Sequence, residues 1–135
     1  MLDRRQIRDN PDAVKEAVRV KGIDLDVDEL IHLDRVSRTL QHELDQAQAR
    51  RKSSAKEFAR ADDTRRAELR AEHEELEIRL KSLREQLAET TEKLQGLLLL
   101  TPMIPWEGAP VGPDESANVV IRSVGTPPED RKSVV

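Results

Sequence analysis

The sequence contains no cysteine and no tyrosine, and its only aromatic side chains are those of Phe58 and Trp106. Without cysteine the chain forms no disulfide and offers no thiolate ligand to a metal, which suits a reducing compartment. Two aromatic residues among 135 cannot fill a thick, layered core. The sequence therefore predicts a domain with a narrow buried surface rather than a conventional globule.

Long apolar runs are missing as well. The most apolar stretch, residues 97–100, is far shorter than the roughly 18 residues that a membrane-spanning helix needs. The opening sequence Met-Leu-Asp-Arg-Arg is not followed by the apolar segment of a signal peptide. We therefore expect no membrane association and a cytoplasmic location.

Sequence motifs that carry catalysis are absent too. The five glycines are scattered, and none lies in a phosphate-binding loop. The three histidines do not pair at metal-ligand spacing, and acidic residues on charge-rich helices usually form a solvated face. We expect no enzyme activity from this chain alone, no metal or other cofactor, and no small-molecule substrate.

Charge is abundant and unevenly distributed. The net charge is −4, yet the window from residue 50 to residue 70 holds eight basic and four acidic residues, so it carries +4 and the rest carries −8. Such a basic cluster is either a solvated surface or a site for a polyanion, and its place on an acidic protein favours the polyanion. The candidate contacts are Arg50, Arg51, Lys52, Lys56, Arg60, Arg65, Arg66 and Arg70.

Apolar residues recur at alternating spacings of three and four over residues 30–58 and again over 69–97. This period of 3.5 residues is that of a coiled-coil seam. The two series are mirror images about the bond between residues 63 and 64, so that Leu44, for example, opposes Leu83. Two unrelated helices would have no reason to match in this way. We therefore predict an antiparallel hairpin within one chain rather than a parallel dimer of long helices.

The predicted fold is all-α, a long antiparallel two-helix coiled-coil hairpin with a small helical base and a short irregular or strand-forming C-terminal segment. Residues 1–25 are assigned to the base, and residues 26–100 to the arm, with a turn near 62–64. Residues 101–135 are rich in proline and are expected to pack on the base or to be disordered. Only residues 118–122 have the pattern of a strand.

Local signals define the helices of the base. Asn10 and Pro11 predict a helix start, with the Asn10 side chain as the cap and Pro11 at the first helical position. Gly22 is the expected stop, in the left-handed conformation. A shorter helix is expected before them, at about residues 3–8, with its apolar side chains turned inward.

The apolar packing predicted for the seam is poorer toward the tip of the arm than near the base. Layers near the base are mostly Leu on Leu, whereas Arg51 with Leu76 and Ser54 with His73 are poor layers near the tip. We therefore expect stability to fall toward the tip. Either these layers let the tip adapt to a partner, or selection on an exposed end is relaxed, and the sequence leaves both interpretations open.

The two aromatic residues indicate how a nucleic acid would be bound. Single strands are usually held by stacking on aromatic rings, but Phe58 is assigned to the seam and Trp106 lies beyond the other end of the arm. The expected contacts are therefore to phosphate and sugar, as in recognition of a folded RNA by its shape.

Several short motifs occur in an order that resembles the N-terminal tRNA-binding domain of seryl-tRNA synthetase over almost the whole chain. The matching segments are residues 1–4 and 7–11 at the opening, 24–28, 33–34 and 38 at the entry into the arm, and 102–105, 110–115, 118–119, 122 and 125–127 at its exit. The resemblance implies that the arm reaches across the elbow and long variable arm of serine tRNA, with its basic residues on the backbone.

One stretch of the arm departs from the pattern of that family, which commonly has an Arg-Asn pair followed shortly by Ser-Lys. Arg51 and Lys56 match, while Lys52 stands in place of Asn and Ala55 in place of Ser. General affinity for phosphate should survive these changes. Discrimination of one tRNA from another should be weaker.

The aminoacylation domain that follows the arm in that family is not present in these 135 residues. Residues 126–135 also lack the phenylalanine-containing continuation expected at the junction, so we favour a free-standing paralogue of the arm domain. The alternative that the chain is the isolated N-terminal fragment of a full seryl-tRNA synthetase stays open. Two further hypotheses stay open: a protein-interaction module that docks on a protein or self-associates through residues 97–100 and the base, and a broader binder that also accepts DNA.

Overall fold

The computed structural model describes residues 2–112 and 114–125. Four α-helices and a short 3-10 turn make up its regular structure, and this part of the chain contains no strand. The elements are α1 (Arg4–Asp9), α2 (Pro11–Val20), α3 (Val27–Phe58), α4 (Asp63–Leu100) and the 3-10 turn Glu115–Ala117. The chain up to Ile104 forms one compact unit, and the chain from Pro105 forms another. The predicted all-α hairpin with small helices beside it is confirmed.

The helices of the base share Asn10 as a boundary. Asp3 caps α1 and accepts a hydrogen bond from the N–H of Arg5 at 2.9 Å. Asn10 closes the same helix, because its own N–H donates to the carbonyl oxygen of Gln6 at 3.0 Å. The prediction that the Asn10 side chain caps α2 is wrong: its backbone, with ψ 59°, is not in the extended conformation that such a cap requires. Pro11 does begin α2, as predicted.

Gly22 ends α2 in the predicted left-handed conformation, with φ 61°. The N–H of Ile23 donates to the carbonyl oxygen of Val18 at 3.1 Å, and the N–H of Gly22 donates to that of Arg19 at 3.2 Å. These two bonds form the Schellman motif, in which a side chain at the glycine position would be strained. The motif turns the chain sharply from α2 toward the arm.

Aspartates begin both helices of the arm. Asp26 caps α3 by accepting hydrogen bonds from the N–H groups of Asp28 and Glu29, at 2.9 and 3.0 Å. Asp62 caps α4 by accepting from the N–H of Arg65 at 2.8 Å. Because Asp62 is the cap, residues 63 and 64 are already helical, and the connection runs over residues 59–62 rather than near 62–64.

The seam predicted from the sequence is the buried face of the hairpin. Each predicted seam position is buried or half-buried except Arg51 and His73, which are exposed. Both belong to the layers that the sequence marks as poor. At about 1.5 Å per residue, the 32 residues of α3 make an arm roughly 48 Å long.

Buried apolar side chains are concentrated toward the base. The base cluster consists of Leu2, Ile7, Val14, Val18, Val27, Leu30, Leu94 and Leu98. A smaller arm cluster consists of Leu44, Ala47, Leu80 and Leu83. Nearer the tip, Leu69 and Ser54 are also buried but belong to neither cluster. The hydrophobic stabilisation of the hairpin therefore declines from base to tip.

This gradient predicts the pattern of amide hydrogen exchange. Amides of residues 50–75 should exchange at least about tenfold faster than helical amides of the base and arm clusters, because fewer apolar contacts oppose local opening there. Exchange measured residue by residue, by NMR or mass spectrometry, checks this. Equal protection along both helices would contradict the gradient.

A buried carboxylate fastens α1 to the arm. Asp34 on α3 is 4% exposed. It accepts hydrogen bonds from Arg4 Nε at 2.7 Å and from Arg8 Nη1 at 3.0 Å, one at each carboxylate oxygen. Both guanidinium groups lie on α1, so this one acidic side chain ties two turns of a short helix to the start of the arm.

In the unit that begins at Pro105, the structure contradicts the prediction of a strand. Residues 118–122 do not form the predicted strand, and Val119, Val120 and Ile121 are exposed. A strand needs a neighbour to pair its backbone groups, and the described part of the chain offers none. Residues 126–135, on which the expectation of a free-standing paralogue rests, lie outside the described residues.

Candidate nucleic-acid interface

The eight basic residues predicted as contacts lie on the last turns of α3, the first turns of α4 and the connection between them. Lys52 and Lys56 are exposed on α3, one turn apart. Arg60 is also exposed, but it lies in the connection because α3 ends at Phe58. Lys52, Lys56 and Arg60 recur at every fourth residue, and this row of cations continues from the helix into the turn.

Two arginines of α3 form ion pairs across the hairpin. Arg50 makes a two-pronged contact with Glu72 that includes a bond of 2.9 Å from Nη2 to Oε2. This hydrogen bonding raises the pKa of Arg50 and lowers the pKa of Glu72. Arg51, at one of the poor seam layers, lies with Nε 2.6 Å from Oε1 of Glu77. Both arginines therefore connect α3 to α4, and their charge is partly engaged within the protein.

Arg65 is the most heavily paired residue of the tip. Its guanidinium contacts a carboxylate oxygen of Glu68 at 2.7 Å and one of Glu57 at 2.8 Å. The hydrogen bonds from Glu68 and Glu57 raise the pKa of Arg65. Arg66 lies 3.6 Å from Asp63, which is exposed. Four of the eight predicted residues are thus engaged with carboxylates.

The other four have no carboxylate within 4 Å among the residues that the structure describes. They are Lys52, Lys56, Arg60 and Arg70. An exposed cation without a counter-ion is free to contact a phosphate group without first breaking an ion pair. Lys56 and Arg60 also border one surface depression at the turn, together with Arg65. Glu57 and Asp62 line the same depression. Since Arg65 is already paired with carboxylates, Lys56 and Arg60 are the cations that the depression offers to a ligand.

The sequence did not predict the contacts between the Phe58 ring and two arginines of α4. Its ring is half-buried, and the guanidinium carbons of Arg66 and Arg70 lie 5.9 and 5.7 Å from its centroid. These are cation–π distances. The mirror register could have indicated this contact, because it opposes Phe58 to Leu69, which lies between the two arginines on α4. Assigning Phe58 only to the seam concealed it.

The rest of the arm is less favourable for an anion. From residue 72 to residue 92 the chain has seven glutamates against three basic residues. Some of these glutamates are neutralised locally, as Glu72 is by Arg50 and Glu89 is by Lys93. Among the described residues, no group of three or more His, Asp or Glu side chains is placed to hold a metal ion. None of the helices in the described part is both long and apolar enough to cross a membrane.

These features define a class of domain, an antiparallel helical arm with a cationic tip and an acidic flank. The family described as Seryl-tRNA synthetase N-terminal domain matches residues 1–105. The chain belongs to this family, which confirms the resemblance seen in its motifs.

Similar proteins agree with this assignment. The chain is 42% identical to a serine–tRNA ligase of Deinococcus radiodurans over 95% of its own length and 30% of that protein. It is 41% identical to the serine–tRNA ligase of Thermomicrobium roseum, over 94% of this chain and 29% of that protein. The crystal structure of seryl-tRNA synthetase from Pyrococcus horikoshii complexed with ATP superimposes with a TM-score of 0.76 and 34% identity, over 90% of this chain and 28% of that one. The chain thus spans about 30% of the length of these curated relatives.

Proposed function

We propose that this chain is a tRNA-binding module that carries out no chemistry itself and holds the tRNA backbone with the basic tip of its arm. The observation that carries the proposal is the set of four basic tip residues, Lys52, Lys56, Arg60 and Arg70, that have no carboxylate within 4 Å in the described part of the chain. Contacts to phosphate fix the position of a nucleic acid without reading its sequence.

Membership of the family supports tRNA as the nucleic acid. The relatives are named serine–tRNA ligases, and this chain corresponds to the N-terminal domain rather than to the remaining two thirds of their length. Serine tRNA, with its long variable arm, is therefore the proposed partner. Such a partner implies that the chain acts in translation, in the cytoplasm.

The charge pattern of the arm supports binding at the tip. Phosphate groups are attracted to the turn, whereas the glutamates of α4 from residue 72 onward would repel them. An RNA helix would therefore contact the tip and avoid the flank. The arm, about 48 Å long, keeps this contact far from the base.

Charge reversal at the tip tests the proposal. We expect the triple substitution Lys52→Glu, Lys56→Glu and Arg60→Glu to weaken serine tRNA binding by at least about tenfold. It should also lower the slope of log affinity against log salt by roughly 2 to 3, since each phosphate contact contributes about 0.7 to 0.9. Titrations of the parent and variant at several salt concentrations measure both quantities.

A matched control distinguishes the loss of a specific site from a general change in net charge. Arg35, Lys81 and Arg84 are exposed on the same two helices, and reversing all three changes the net charge by the same amount. The control should retain most of the affinity and of the salt slope of the parent protein. Equal losses in both triple variants would mean that the tip is not a specific site, and salt-insensitive binding by the parent would contradict phosphate contacts altogether. Competition with duplex DNA tests whether the tip accepts DNA as well.

A specific observation favours a second candidate, a protein-interaction module. Leu99, Leu100 and Met103 are exposed at the base end of the arm, whereas Leu98 is buried in the base cluster. Sedimentation with and without tRNA separates the candidates, because a stable oligomer indifferent to RNA would favour protein interaction. Exchange of ATP with pyrophosphate by the pure chain would contradict the non-catalytic role.

A further inference from the structure

A groove of about 380 Å³ opens between α3 and α4 near the tip of the arm. Two residues at its floor, Ser54 at 3% and Leu69 at 1% exposure, are almost completely buried, so the groove lies over the seam without entering it. The Phe58 ring and the methyl group of Ala55 line it as well. Its volume falls in the range of small-molecule binding sites.

The groove follows from the seam residues of one layer. Ser54 is small and almost completely buried, so it adds no bulk above the seam. The His73 side chain is 49% exposed, and its Nε2 lies 3.8 Å from Glu77 on its own helix. A leucine at either position would fill the seam in the manner of the layers nearer the base. The poor layer thus creates an open apolar site.

The surroundings of the groove are cationic and aromatic. Arg70 borders it, and the Arg70 guanidinium lies 5.7 Å from the centroid of the Phe58 ring. Arg66 lies 5.9 Å from the same centroid. Glu74 is the one carboxylate that lines the groove. Proteins bind unstacked nucleotides by stacking the base on planar side chains and by placing guanidinium groups next to its phosphate.

We propose that this groove binds one unstacked base of the bound tRNA, with the adjoining phosphate on Arg70 or Arg66. The inference rests on the proposed function, and it adds a base contact on residues other than Lys52, Lys56 and Arg60. A base contacts the Phe58 ring above Leu69, stacks on the guanidinium plane of Arg70, and finds hydrogen-bonding groups in His73 and Glu74. Charge complementarity selects a nucleotide over an apolar protein side chain, which would leave the Arg70 guanidinium without an anionic ligand.

Filling the groove tests the proposal without changing charge. Ala55 is exposed on α3, so Ala55→Leu should fold normally while its larger side chain enters the space. We expect this variant to bind serine tRNA about tenfold more weakly, as when one stacked base is lost, with the salt slope lowered by no more than one phosphate contact, about 0.7 to 0.9. Ala71→Leu, an exposed position on α4 outside the groove, is the matched control and should bind like the parent. Parent-like binding by Ala55→Leu would overturn the proposal.

NMR of the unsubstituted chain gives a test that does not depend on a variant. Leu69 lies at the floor of the groove, so a bound base should shift the resonances of its methyl groups through its ring current. Serine tRNA should produce this shift, while inorganic polyphosphate, which has phosphates but no bases, should not. Equal shifts with both, or no shift with tRNA, would overturn the proposal.

The two proposals fail in distinguishable ways. If tRNA binds with the expected salt dependence but leaves Leu69 unshifted, the groove is not a base site and the tip function stands. If neither Leu69 nor the tip lysines respond to tRNA, the tRNA-binding function itself fails. A Leu69 shift that grows with protein concentration in the absence of RNA would assign the groove to a second copy of the chain and would overturn the base site.

Discussion

Leu94→Ala is expected to destabilise the protein by roughly 3 to 5 kcal/mol, toward the upper end of the range for deleting a buried leucine side chain. Leu94 is 1% exposed, and it belongs to the base cluster together with side chains from all three other helices. The cavity left by the substitution would be surrounded by four helices whose positions are fixed by other contacts, so it would not collapse. Urea unfolding followed by circular dichroism measures the change as a lower midpoint with little change in slope.

The same chemical change five residues later is the control for Leu94. Leu99 is on the same helix but 71% exposed, so Leu99→Ala should change the free energy of unfolding by no more than about 0.5 kcal/mol. Similar losses for both variants would mean that the side chain of Leu94 is not buried in the base cluster. A small loss for Leu94→Ala alone would mean that the base helices contribute little to the stability of the arm.

The arm could be predicted from the sequence because its stability depends on a repeating pattern. The 3.5-residue period identifies the seam, and the mirror register predicts the pairing of the helices without knowledge of any distance. Helix starts at Asp26 and Asp62 follow from local chemistry, in which an aspartate accepts hydrogen bonds from free backbone N–H groups. The cap at Asn10 could not be predicted in this way, since two helices compete for that residue.

The candidate site was only partly predictable. The sequence identified the eight basic residues but not which of them are paired, because ion pairs across the hairpin depend on side-chain geometry. Arg50 and Lys52 look equivalent in the sequence, yet Arg50 contacts Glu72, whereas Lys52 has no such contact among the described residues. The groove beside Phe58 was missed because it results from an empty volume, which no residue pattern states directly.

Some of the segments that resemble the family have a structural role in the packing of α1 on the arm. Arg4 and Arg8 belong to the opening segments, and Asp34 belongs to the entry into the arm. These segments lie about thirty residues apart in the chain but meet in one cluster of charges around the buried Asp34. Their spacing follows from packing α1 on α3 and does not by itself indicate contact with RNA.

Removing the carboxylate at the centre of this cluster should strongly destabilise the protein. Asp34→Ala should destabilise the protein by about 3 kcal/mol, because it leaves two guanidinium groups without the carboxylate that both contact. The value lies at the lower end for a broken buried pair, since Arg4 and Arg8 retain 42% and 33% side-chain exposure and can be partly hydrated. Thermal and urea unfolding measure the loss.

One further variant tests whether the charge of Asp34 or only its shape matters, and another is a control at an exposed position. Asp34→Asn should lose most of the same stability, because the amide nitrogen of asparagine would face a guanidinium donor and accept nothing from it. Asp45→Ala removes an exposed aspartate from the same helix and should cost no more than about 0.5 kcal/mol. Since Asp34 lies about 27 Å along α3 from Lys52, the Asp34 variants should bind tRNA like the parent at temperatures where they remain folded. Loss of tRNA affinity by the folded variants would show that the attachment of α1 controls the tip, and stability equal to the parent would show that the carboxylate is not the contact that holds α1 to the arm.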